Sequence, residues 1–254
     1  MSLLRVERLS KEFGGLRAVE NLTFSIPRGK VFSIIGPNGA GKTTLLNLLS
    51  GIYVPSRGTI LLDGRDLTQR PPHEYAASGV ARTFQNLQLF LNMSALENVM
   101  VGHTLHERCG LAAALLRLPS LERAEREARA QALELMHWVG LGDQAHAMAD
   151  ELPYGSLKRL EIARALATRP RLLLLDEPAA GLNATETLEI DALITRLAGS
   201  GVTVVLVEHN MRLVMGVSDH ILVLDHGKRL AEGAAREVRR DPRVIEAYLG
   251  AGAA

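Results

Sequence analysis

The chain holds one cysteine, Cys109, in 254 residues. It can form neither an intrachain disulfide nor a thiolate metal cluster, and a reducing compartment is the simplest setting. Aromatic residues are scarce, with five Phe, four Tyr and one Trp, so there are few platforms on which single-stranded bases could stack. Neither sign of charge dominates: 29 Lys and Arg face 28 Asp and Glu, for a formal net charge of +1. That balance does not suit a surface that tracks phosphate backbones, and no nucleic-acid partner is expected. Apolar runs are short. Those at 172–175 and 202–207 fall far below the roughly 18 residues of a membrane span, and the opening MSLLRVERLSKEF lacks the apolar stretch of a signal peptide. Any membrane role is expected to run through a partner. Internal repeats, heptad runs and low-complexity segments are missing too.

What is present is a globular composition, 47% hydrophobic and 22% charged. At roughly 150 residues per domain, the length suggests one large domain, or a core with a smaller lobe. Short β-rich runs at 22–26, 31–35, 59–62, 172–175, 202–207 and 221–224 alternate with helical patterns, which predicts an α/β sheet. The runs at 31–35, 172–175 and 202–207 are almost wholly apolar, as central strands covered on both faces should be; those at 22–26 and 59–62 look peripheral. From about 86 to 165 the texture turns helical. Ser94-Ala-Leu-Glu97 reads as a capping box. Leu121, Ala124, Ala128, Ala132, Leu135 and Val139 form one apolar stripe, with Glu122/Arg126 and Glu125/Arg129 as i,i+4 pairs on the solvated side. Asn183-Ala-Thr-Glu186 predicts another helix start, and Asp241-Pro242 a last helix running to about Leu249, with a fraying tail.

The strand at 31–35 leads into Gly36-Pro37-Asn38-Gly39-Ala40-Gly41-Lys42-Thr43-Thr44, the full P-loop pattern. Its glycines let consecutive N–H groups face phosphate oxygens, Lys42 is placed for the β/γ phosphates and Thr43 for Mg²⁺, and the helix dipole adds to both. Downstream, the run at 172–175 delivers Asp176-Glu177. The first carboxylate suits Mg²⁺ and the second suits water activation. No Asp is followed three residues later by Gly, and no Asn-Lys pair exists, which argues against a Ras-like GTPase. The eight histidines have no supporting cysteine spacing, so no structural zinc is expected.

The P-loop occurs together with Gln85 in RTFQN, Tyr154-Gly-Ser-Leu-Lys-Arg159, Asp176-Glu177-Pro178, Gly181-Leu182-Asn183 and Glu208-His209. As a set these resemble the nucleotide-binding subunit of ABC transporters over nearly the whole chain. RTFQNLQLF, LEIARALA, DEPAAGLN, VEHNMRLVMGVSD and DPRVIEAYLG look most like the LivG-type ATPases of branched-chain amino acid importers. The resemblance implies an ABC ATPase fold: a RecA-like P-loop core with an antiparallel β subdomain and an inserted α-helical subdomain. Within a single domain it assigns 1–85 and 166–235 to the nucleotide-binding core, 86–165 to the helical subdomain and 236–254 to a C-terminal helix and tail.

It further implies that Phe13 covers the adenine with Val19 nearby, and that Gln85 touches Mg²⁺ or the attacking water. Asp176 joins Thr43 at the metal, Glu177 acts as general base and His209 contacts the γ-phosphate. Tyr154, Gly155 and Ser156 would complete the nucleotide site of an opposing subunit, and Gly181, Leu182 and Asn183 form the D-loop. Two departures stand out. Pro153 occupies the family's serine position, removing a hydroxyl and an N–H, and Asn183 replaces the usual Asp. The composite site receiving this signature is therefore expected to hydrolyse weakly, while the Asn183 amide can still hydrogen-bond across a dimer.

ATP and Mg²⁺ are the implied cofactors. The implied partners are two transmembrane permease subunits, a second ABC ATPase subunit and, indirectly, an external solute-binding protein, with the chain cytoplasmic and peripheral on the inner face of the plasma membrane. An importer for urea or short amides, an ABC exporter, and a soluble ABC ATPase acting on ribosomes or DNA are the alternative readings.

Overall fold

Strand β3, Val31–Ile35, is buried at every position, and its side chains alternate between two separate cores. Phe32 and Ile34 belong to one apolar cluster and Ile35 to another, the period-two division of a strand covered on both faces. The computed structural model describes residues 2–106 and 119–250. Cys109 and the tail beyond Gly250 lie outside the described residues, as does the side chain of Leu121. The chain divides into two units, Met1–Gln85 with Arg171–Ala254, and Asn86–Pro170.

The first unit holds two sheets. In the smaller, β1 (Ser2–Phe13), β2 (Leu16–Pro27), β4 (Arg57–Leu62) and β5 (Arg65–Asp66) run antiparallel in the order β2-β1-β4-β5. The larger has the order β10-β9-β3-β8-β7-β6. It is built from β6 (Val80–Arg82), β7 (Leu172–Asp176), β8 (Thr203–Val207), β9 (His220–Asp225) and β10 (Lys228–Gly233) around β3. All its pairings are parallel except β9 with β10. The peripheral runs at 22–26 and 59–62 thus fall in the antiparallel sheet and the apolar ones in the parallel sheet.

Helix α1 (Lys42–Leu49) buries Leu45, Leu46, Leu48 and Leu49 in the cluster that also takes Leu4, Val6, Phe24 and Ile60 from the antiparallel sheet and Leu174 and Val205 from the parallel one. Truncating one of these fully buried leucines to alanine costs about 2–5 kcal/mol. Helix α2 (Pro72–Ala77) adds Tyr75 to the same core.

In the second unit, α3 (Ala95–His103) starts at the predicted Ser94/Glu97 capping box, with both reciprocal bonds formed. Helix α4 spans Pro119–Trp138 and α5 spans Tyr154–Ala167. The stripe buries Ala128, Ala132 and Val139, but Met136 rather than Leu135 is the fully enclosed residue. Arg126 Nε donates to the Glu122 carbonyl at 3.3 Å. Gly102 lets α3 and α5 touch: a Cβ there would meet the Arg164 carbonyl at 2.3 Å.

Back in the first unit, α6 (Ala184–Gly199) buries Ile190, Leu193, Ile194 and Leu197. Helices α7 (Met211–Val217) and α8 (Ala235–Val238) contribute Val214 and Val238 to the second cluster, along with Val244 from α9 (Pro242–Gly250). Asp241 Oδ1 accepts from the Arg243 N–H at 2.9 Å, capping α9 where the sequence placed its start.

Candidate active site

The apolar strand β3 ends at the P-loop, and the loop's shape demands its glycines. Gly36 has φ +154, and a Cβ there would lie 2.2 Å from the Leu224 carbonyl. Gly41, the N-cap of α1, has φ +97, and a Cβ would lie 2.3 Å from the Ala18 carbonyl. A side chain at either position would have to displace backbone. Lys42 Nζ donates to the Gly36 and Pro37 carbonyls at 2.8 and 2.9 Å. Burial lowers the lysine's pKa, while Glu177 and then Asp176 act to raise it. The ammonium therefore sits among the groups meant to share its charge.

Strands β6, β7 and β8 deliver the other polar groups. Glu177 follows β7 at φ +49, a left-handed conformation that costs a non-glycine residue roughly 1 kcal/mol or more. Its N–H donates to the Val207 carbonyl at 2.9 Å. Its carboxylate joins two side chains: Gln85 Nε2 donates to Oε2 at 3.0 Å, and His209 Nε2 lies 2.9 Å from Oε1. Gln85, Glu177 and His209 thus meet in one hydrogen-bonded chain, although they are far apart in sequence. The buried Glu208 fixes the loops that carry them, accepting from the N–H of Ala179 at 2.8 Å and of His209 at 3.0 Å.

A cavity of about 780 Å³ opens over these groups, lined by Asn38 to Thr44, Gln85, Glu177 and His209, and at its far end by Phe13, Leu16, Arg17, Ala18 and His226. A cleft of that size suits a nucleotide. Phe13 is 41% exposed and held edge-on by Tyr53, ring centroids 5.2 Å apart, with Lys11 Nζ over its ring at 5.0 Å; the exposed part of the ring is the surface a base could meet. Val19 is fully buried in the core, and Ala18 forms the wall at that level. Gly36 and Pro37 lie beneath the lining, bonded to Lys42. Neither Arg17 nor His226 stands in a motif legible from the sequence. His226 arrives because the Gly227 N–H beside it donates to the Ala40 carbonyl at 3.0 Å, pinning the β9–β10 turn to the P-loop.

Asp176 is 5% exposed and paired with Arg82, whose Nη2 donates to Oδ2 at 2.9 Å. Arg82 lies in the same RTFQN segment as Gln85, but its burial is not legible in the sequence. The oxygen donors Thr43, Gln85 and Asp176 match a hard cation, and the Gln85 amide nitrogen, by donating to Glu177, leaves oxygen as its atom of suitable chemistry. Among the described residues no cluster of three His, Cys, Asp or Glu side chains could hold a metal alone.

Two predicted segments are not among the residues that line the cavity. Tyr154, Gly155 and Ser156 open α5 in the second unit behind Pro153, whose position at the N-cap supplies no side-chain cap. Tyr154 is exposed, whereas Gly155 and Ser156 are buried. Gly181 turns at φ +78, Leu182 is half-buried and Asn183 caps α6, its Oδ1 accepting from the Glu186 N–H at 3.0 Å.

The ABC transporter family model matches residues 19–180, and the model of the branched-chain amino acid ATP-binding cassette transporters matches residues 228–254. The chain is 47% identical to the high-affinity branched-chain amino acid transport ATP-binding protein BraF of Pseudomonas aeruginosa, and 46% identical to LivG of Escherichia coli. Each match covers 98% of both sequences. It also superposes on the ADP conformation of an ATP-binding cassette of an ABC transporter with TM-score 0.85 and 31% identity, covering 98% of this chain and 99% of that one. With a P-loop, Glu177 and His209 gathered on one cavity, and with likeness along 98% of its length, the chain belongs to the ATP-binding proteins of the ABC transporter family.

Proposed function

We propose that this chain hydrolyses ATP to drive uptake of branched-chain amino acids through partner permeases. The observation carrying this reading is the end-to-end match to BraF and LivG, both named as branched-chain amino acid transport ATP-binding proteins. In the proposed reaction, ATP lies along the cavity with its base on Phe13 and its phosphates on the P-loop N–H groups and Lys42. Glu177 accepts a proton from water as that water attacks the γ-phosphate, and His209 and Gln85 hold the carboxylate in line. Mg²⁺ would be held by Thr43, Asp176 and Gln85 together with the phosphates, and would supply charge neutralisation there.

In this proposal the first unit is the nucleotide-binding core and the second a helical subdomain, with 236–254 as a C-terminal helix and tail. Head-to-tail closure with a second ATPase brings Tyr154, Gly155 and Ser156 to the partner's nucleotide and Gly181, Leu182 and Asn183 to the dimer seam. Two permease subunits hold the chain on the inner face of the plasma membrane, and an external binding protein supplies the solute. Among the described residues no helix is long and apolar enough to cross a membrane, which is consistent with attachment through partners.

The test is affinity purification of the tagged chain from gently solubilised membranes, with mass spectrometry of what is retained. Two multi-span permeases and a second ATPase support the reading. Retention of ribosomal or DNA-bound proteins alone would overturn it.

A further inference from the structure

Arg82 pairs with Asp176, and both side chains are 6% exposed. The arginine is the last residue of β6, and the chain after it runs alongside β7 to Gln85. The Thr83 N–H donates to the Leu174 carbonyl at 2.9 Å, the Asp176 N–H reaches Thr83 Oγ1 at 3.4 Å, and Gln85 reaches Glu177. Within this ladder the Arg82 guanidinium points back toward α1. Nη1 donates to Asn47 Oδ1 at 2.6 Å and to Ser50 Oγ at 3.1 Å, while Nη2 holds Asp176 Oδ2 at 2.9 Å. Phe84 covers the group, its ring centroid 5.0 Å from Cζ. Nε is buried with no hydrogen-bond partner, a desolvation cost of about 1–3 kcal/mol. A buried ion pair is weak grounds for stability, because an apolar pair of similar volume often does as well. The arrangement is better explained by what it fixes, a carboxylate oxygen referenced to the helix that carries Lys42 and Thr43.

We propose that Arg82 is a positioning residue for the metal site: it locks the Asp176 carboxylate to the P-loop helix so that the metal ligands Asp176 and Thr43 keep a fixed relation. This rests on the reading of Asp176 as a ligand to the nucleotide-bound cation. A guanidinium suits the task because its planar fork bonds Asp176 with one nitrogen and α1 with another, which an ammonium on a flexible stem does not reproduce. Groups that orient metal ligands in this way typically account for 10–100-fold in metal affinity.

The experiment uses the full-length chain saturated with a non-hydrolysable ATP analogue and titrated with Mn²⁺, bound metal being read by electron paramagnetic resonance. Binding of a fluorescent ATP analogue in EDTA reports the nucleotide site without metal. Arg82→Met is expected to weaken Mn²⁺ about 10–100-fold while metal-free nucleotide binding stays within about twofold; Arg82→Lys is expected to recover part of the loss. Asp176→Asn, which removes the ligand itself, separates the two claims. If it loses Mn²⁺ while Arg82→Met binds like wild type, the positioning role is overturned and the site reading stands. If Asp176→Asn also binds like wild type, both fall. Should Arg82→Met fail to fold, Asn47→Ala keeps both charges and removes one anchor of the guanidinium. A loss of about threefold is then expected, and an unchanged Mn²⁺ affinity overturns the proposal.

Discussion

Replacing Glu177 with glutamine separates holding ATP from cleaving it. The two side chains match in shape and both residues are non-glycine, so the φ of +49 is no more strained in the variant. The amide oxygen can still meet His209, 2.9 Å away, but the amide nitrogen cannot accept the bond that Gln85 now donates at 3.0 Å. Losing one exposed hydrogen bond changes stability by about 1 kcal/mol or less. The effect on chemistry is far larger. An amide takes no proton from water, and loss of a positioned base costs about 10²–10⁴-fold, a barrier rise of roughly 2.7–5.5 kcal/mol. Nucleotide affinity should hold or increase, because a negative charge leaves a cavity that receives a triphosphate. Phosphate release measures the rate, a fluorescent ATP analogue the affinity, and size-exclusion chromatography in ATP the persistence of the closed dimer. Turnover within tenfold of wild type, with affinity intact, would show that another group activates the water.

Three further outcomes follow. Pro153→Ser in the assembled complex restores a hydroxyl and an N–H at the N-cap of α5 and should raise ATPase turnover; an unchanged rate counts against a weakened composite site. Tyr75→Phe should stabilise the protein by about 1 kcal/mol, or roughly 2–4 °C in thermal midpoint, because the hydroxyl is buried without a partner. A lower midpoint would mean that the hydroxyl is satisfied in solution. Asp63 is held below the usual carboxylate range by Arg28, Asp66 by Thr68, Glu97 by the Ser94 backbone and Asp241 by Arg243. Depressed folded values give stability that is present above the ordinary carboxylate pKa of about 4 and lost as pH falls through them. The thermal midpoint should therefore drop below about pH 4, and Asp63→Asn should make that drop shallower; an identical acid limb in the variant would contradict the assignment.

The central strands were legible because burial on both faces leaves no polar alternation: the apolar run at 31–35 matches β3 residue for residue. β1 mixes exposed and buried positions irregularly through its bulges, β6 has three residues and β10 is largely polar, so none gave a signal. The capping boxes at Ser94 and Asn183 were readable because their bonds are local. The meeting of Gln85, Glu177 and His209 is non-local and could be named only through the family resemblance. The pairing of Arg82 and the placement of His226 follow from no spacing pattern. One is set by a buried pair between strands and a helix, the other by a turn pinned to the P-loop.

Coupling of ATP hydrolysis to uptake is read out by transport through the reconstituted complex. Proteoliposomes would contain the chain with its co-purified permeases and second ATPase, with ATP enclosed and the solute-binding protein outside. Labelled leucine, isoleucine or valine should accumulate inside only when ATP is present, and Lys42→Ala in this chain should abolish accumulation. ATP hydrolysis without accumulation of any of the three, or accumulation that Lys42→Ala leaves intact, would contradict that coupling.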